Sequence, residues 1–117
     1  RNENEHGGVM TMVKSHVLFE VMETVNSLSK KIDCEITSIR LCNSGIIFIT
    51  IYRSPNGSME GFLDVFSRML ALVYKYDRVI VTGDFNINFI SRSRALENFD
   101  GLIREHGFNF LINDRTR

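Results

Sequence analysis

Along Val9 to Lys14 the chain alternates, with Val9, Thr11 and Val13 on one face and Met10, Met12 and Lys14 on the other, which predicts a short strand entered through Gly7-Gly8. Residues 17 to 32 carry two patterns at once. Val17, Leu18, Val21, Met22, Val25, Leu28 and Ile32 recur at helical spacing, while HVLFEV alone suits an extended segment; a helix is expected there. The runs DCEITSIRL and IIFITIY flank CNSG, so residues 34 to 41 and 46 to 52 are expected to form an antiparallel hairpin around Asn43, Ser44 and Gly45. The second arm is apolar on both faces and reads as a central strand.

Pro55, Asn56 and Gly57 stop that strand, and Ser58 is placed to cap a helix running through Tyr76. Phe62, Phe66, Met69, Val73 and Tyr76 form its apolar stripe, and Glu60 suits its positive end. The capping box is missing, because Gly61 occupies the position from which Glu or Gln would reach back. Then come the strand RVIVTGD, a polar loop with Ser91, Arg92 and Ser93, an amphipathic helix carrying Leu96, Phe99, Leu102 and Ile103 with Gly107 beyond its end, and a last strand FNFLIN.

The strand over 46 to 52, the helix from 59 to 76 and the strand over 79 to 84 make a βαβ unit, whose two strands should run parallel and end on a common edge. Tyr52 and Arg53 end the first, and Asp84 and Asn86 the second. Open α/β sheets bind ligands at such edges. Strand alternation would point Asp84 and Asn86 the same way, roughly 6.5 Å apart, with Phe85 directed into the opposite layer. Gly83 would admit a close backbone or substrate. A carboxylate that orients water or holds Mg²⁺, with an amide and a phenol as donors, suits phosphate chemistry. Taken as a bare tetrapeptide, however, Gly-Asp-Phe-Asn equally describes a strand end where Asp84 accepts a backbone N–H and Asn86 closes a turn.

Composition narrows the classes. With 117 residues, 44% of them hydrophobic, the chain has material for one folding unit and not two. Fourteen basic and fourteen acidic residues cancel, so any polyanion site must be local. No apolar run approaches membrane-spanning length, and no structural metal site is expected, because Cys34 and Cys42 lack partners at zinc spacing. The hairpin would hold these two cysteines about 25 Å apart, too far to bridge, which fits a reducing compartment.

The order GGVMTMV, IYRSPNGS, VIVTGDFNIN and GFNFLINDRTR resembles the endonuclease/exonuclease/phosphatase superfamily, closest to the endonuclease domain of non-LTR (LINE-type) retrotransposon polyproteins. The resemblance spans nearly the whole chain. It implies an α/β fold, part of a two-sheet DNase I-like sandwich with a mixed sheet and flanking helices. It also implies a Mg²⁺- or Mn²⁺-dependent nuclease that nicks target DNA to prime reverse transcription, partnered by a reverse transcriptase domain in the same polyprotein and acting in the nucleus. By the family pattern, Asp84 would hold the metal and activate water, Asn86 would hold the phosphate or the Asp, and Tyr52 would contact the scissile phosphate. Arg53, Asn88, Arg92 and Arg94 are phosphate- or DNA-contact candidates, with Arg115 and Arg117 behind them. The family's upstream metal-binding Glu and its final Ser-Asp-His have no counterpart in this chain, and Arg115 replaces a proline. The expectation is a single partial domain over 1 to 117, truncated at both ends and weak or inactive alone. Two other functions remain open: a phosphoesterase of the same superfamily acting on phosphorylated lipid or inositol, and a non-catalytic remnant.

Overall fold

The computed structural model describes residues 8–87 and 93–111. Its elements are β1 (Phe19–Val21), α1 (Glu23–Asn26), β2 (Glu35–Leu41), β3 (Ile47–Tyr52), α2 (Met59–Val73), β4 (Val79–Asp84) and α3 (Arg94–Glu105). The four strands form one mixed sheet in the order β1-β2-β3-β4. β1 and β3 run antiparallel to β2, and β4 runs parallel to β3. The protein is therefore α/β, with helices flanking a mixed sheet.

The β2–β3 hairpin follows from its turn. Gly45 takes φ +73°, and its N–H donates to the Leu41 carbonyl at 2.9 Å, while the Leu41 N–H donates to Ile46 O at 2.9 Å. β3 then alternates strictly, burying Ile47, Ile49 and Ile51 and leaving Phe48, Thr50 and Tyr52 half-buried. The isoleucine face joins Phe62, Phe66, Met69, Leu70 and Val73 of α2, and Phe99 and Ile103 of α3, in a single core. Within it Phe62, Phe66, Phe85 and Phe99 place their ring centroids 4.9 to 6.2 Å apart, with Phe62 and Phe66 stacked and the other pairs tilted or edge-on. Ser58 caps α2 by accepting the Gly61 N–H at 3.0 Å, and Ser93 caps α3 by accepting the Leu96 N–H at 3.1 Å.

Four expectations are corrected. The helix over 17 to 32 is instead the edge strand β1 followed by the four-residue α1. The β-branched and aromatic stretch pairs with the edge of β2, Phe19 opposite Leu41 and Val21 opposite Ile39, and this pairing outweighs helical spacing. Ser29 Oγ then bonds both backbone groups of Ile36, and Lys30 and Cys34 exchange N–H···O bonds of 2.8 Å, so the chain is already committed to β2. Residues 9 to 13 keep the alternation, with Met10 and Met12 exposed and Val9, Thr11 and Val13 half-buried, yet join no ladder. Alternation sets side-chain direction, but a strand also needs a partner edge. Phe108 to Leu111 likewise join no ladder, and the rest of the expected last strand lies outside the described residues. Finally, α2 stops at Val73, before Tyr76.

Candidate active site

The C-terminal ends of β3 and β4 share one edge. Tyr52 and Asp84 are ladder partners, one strand spacing of about 4.8 Å apart, so their side chains leave the same face of the sheet. Below them Thr50 and Thr82 pair in the same way, with hydroxyl oxygens 3.4 Å apart. Across β2, Glu35 pairs with Tyr52. The rim is thus a row of carboxylate, phenol and carboxylate on three adjacent strands. Gly83 makes the β3–β4 approach possible: it sits at φ +151°, and a Cβ there would overlap the Ile51 carbonyl oxygen.

Beyond Asp84 the strand ends, so the alternation on which the expected common direction of Asp84 and Asn86 rested does not extend to Asn86. Asn86 adopts φ +51°, a left-handed conformation that asparagine tolerates better than most residues. Its N–H donates to Asp84 Oδ1 at 3.2 Å, closing the turn that a bare Gly-Asp-Phe-Asn would form. Its side-chain Nδ2 donates to the Arg53 carbonyl. Phe85 does enter the opposite layer and packs on Phe62, Phe66 and Phe99.

Arg53 reaches the rim but turns inward. Only 7% exposed, it donates from Nη1 to the carbonyls of Phe85 at 3.3 Å and Asn86 at 3.0 Å, and from Nη2 to Gly57 O at 3.0 Å. That leaves little guanidinium surface for a phosphate. Arg94 is an exposed residue opening α3, and nothing among the described residues ties it to the rim. Asn88 and Arg92 lie outside the described residues, as do Arg115 and Arg117.

Two residues near the rim escaped sequence reasoning. Glu35 stands beside Tyr52 only through the hairpin register. Asp33 accepts the Ser58 N–H at 2.7 Å through Oδ1, with Lys30 Nζ 3.3 Å from its Oδ2. It does for Ser58 what the absent capping-box Glu would have done. Gly61 is the available signal, since a Cβ there would collide with the Asp33 carboxylate.

No family model, curated protein or solved structure matches the chain.

The donor set bears on which metals fit. Among the described residues there is no group of three or more His, Cys, Asp or Glu able to hold an ion. A closed protein cage is therefore absent from the described part of the chain. Mg²⁺ is a different case, because it retains several waters and commonly takes one or two carboxylates plus substrate phosphate. Asp84, half-buried at the C-terminal end of β4, supplies one such carboxylate. No described helix is long and apolar enough to cross a membrane.

Proposed function

We propose that the chain belongs to a Mg²⁺- or Mn²⁺-dependent DNA endonuclease domain of the endonuclease/exonuclease/phosphatase type, one that nicks target DNA in a retrotransposon polyprotein. On this view the four-stranded sheet is one layer of a two-sheet sandwich, a reverse transcriptase domain is the partner in the same polyprotein, and the site of action is the nucleus. The observation that supports it most is the pairing of Tyr52 with Asp84 at the C-terminal edge of a parallel strand pair, with the Asp84–Asn86 turn on top.

The reaction is an in-line displacement at phosphorus. Asp84 takes a proton from the attacking water, whose oxygen bonds to phosphorus as the P–O3′ bond breaks; the departing 3′-oxygen takes a proton from solvent water, leaving a 3′-hydroxyl and a 5′-phosphate. Tyr52 donates its phenolic hydrogen to a phosphoryl oxygen where charge accumulates. Asn86 acts on Asp84 through its backbone N–H, orienting the carboxylate. Asp84 would hold the metal, which when bound supplies charge neutralisation at the phosphoryl oxygens. With no third acid or histidine gathered beside Asp84 among the described residues, the 117-residue chain alone should cut weakly or not at all.

Nicking of supercoiled plasmid with Mg²⁺, by the isolated chain and by the same chain within its continuous reading frame, tests the proposal. Cutting by the longer protein that drops at least about 100-fold in Asp84→Ala supports it. Release of phosphate from inositol or lipid esters without nicking would favour the other phosphoesterase. Neither activity would leave a non-catalytic remnant.

A further inference from the structure

We infer that Arg53 is a positioning residue of this rim: its buried guanidinium holds the turn that presents Asp84 beside Tyr52. What the turn is for rests on the nuclease proposal; where it sits does not.

Arg53 engages three successive residues of the opposite tip. Its N–H donates to Asp84 O at 2.9 Å, its guanidinium to the carbonyls of Phe85 and Asn86, and its own carbonyl accepts from Asn86 Nδ2. The bond to Gly57 O ties the same side chain to the loop that leads into α2. A guanidinium buried to this degree requires acceptors, and its two terminal nitrogens find main-chain carbonyls of two loops, while Nε is buried without a partner among the described residues. The consequence falls on Asn86. Left-handed backbone at a residue with a side chain costs free energy and persists where the surroundings impose it. Nη1 on the Asn86 carbonyl, with Asn86 Nδ2 on the Arg53 carbonyl, holds that residue by both its main chain and its side chain. The Asn86 N–H is thereby aimed at Asp84 Oδ1.

Lysine cannot substitute in this role. One ammonium on a flexible stem carries the charge but not the planar fork that spans carbonyls on two loops. A phosphate contact makes the opposite demand, because a point charge serves there.

The experiment compares Arg53→Lys and Arg53→Met with the unmutated chain by NMR and by Mn²⁺ binding. In both variants the Asn86 carbon shifts should leave left-handed values. Mn²⁺ affinity should fall roughly 10–100-fold, the usual effect of losing a group that orients a metal ligand. Asn86 shifts that stay unchanged in either folded variant, or Mn²⁺ affinity restored by lysine, would overturn the inference. If both variants unfold, the unmutated chain decides: separate, slowly rotating Arg53 guanidinium signals support the clamp, and one averaged signal refutes it. An unmutated chain that binds no Mn²⁺ would count against Asp84 as a metal ligand in this chain, while the Asn86 shifts would still judge Arg53.

Discussion

Asp33 and Ser58, 25 positions apart in sequence, form a capping interaction of the kind usually made within one helical turn: the Asp33 carboxylate accepts the Ser58 N–H at 2.7 Å. The same carboxylate lies near the start of α2, where negative charge is favoured. It also fixes the loop at residues 30 to 34 against the loop after β3, where the Ser54 N–H donates to Ile32 O at 3.0 Å. Replacing Asp33 with Ala should therefore lower stability by about 1–2 kcal/mol, the range of a lost helix cap, read from the urea midpoint. An unchanged midpoint would mean that solvent replaces the carboxylate without cost.

Two glycines should respond to alanine with opposite signs. At Gly83 the added Cβ meets the Ile51 carbonyl and the backbone is at positive φ, so Gly83→Ala should destabilise by at least about 2 kcal/mol and part the β3–β4 ladder. At Gly101, inside α3, a Cβ meets nothing within 4 Å, so Gly101→Ala should stabilise by about 0.5–1 kcal/mol. Paired thermal melts give both signs: a stabilising Gly83→Ala would contradict the β3–β4 geometry, and a destabilising Gly101→Ala would contradict the open face of α3.

Much of this was legible in the sequence because the responsible forces are local or follow from simple topology. The apolar run of β3, the amphipathic stripes of α2 and α3, and Ser58 before α2 predict those elements, and the crossover length predicts parallel β3 and β4. Tyr52, Asp84 and Asn86 could be brought to one edge on that basis. The edges could not be read. Residues 19 to 21 became a strand because β2 offered an edge, whereas residues 9 to 13 alternate just as well and found none. Glu35, Asp33 and the inward turn of Arg53 depend on register and loop contacts that no local pattern encodes.

The two cysteines are both free, Cys34 buried and Cys42 exposed. Burial, followed by the nearby charges of Asp33 and Glu35, pushes the Cys34 thiol from 9.0 up to about 12. In the native protein at pH 8 a thiol reagent should therefore modify Cys42 and spare Cys34, with both reacting in denaturant. The sign for stability follows. The folded state holds this proton more tightly than the unfolded state, so the contribution is complete below pH 9 and is lost as pH rises toward 12. Equilibrium unfolding of Cys34→Ala against the unmutated chain across that range isolates the effect. Rapid labelling of native Cys34 at pH 8 would contradict it.

A Mg²⁺ titration followed by NMR tests the shared rim most directly. Signals of Tyr52, Asp84 and Asn86 should move together along one saturating curve, and Asp84→Asn should abolish the response at all three. Silence at these residues through the millimolar range, or shifts gathered instead around surface acids such as Asp64 and Asp100, would contradict a metal-holding rim formed by the ends of β3 and β4.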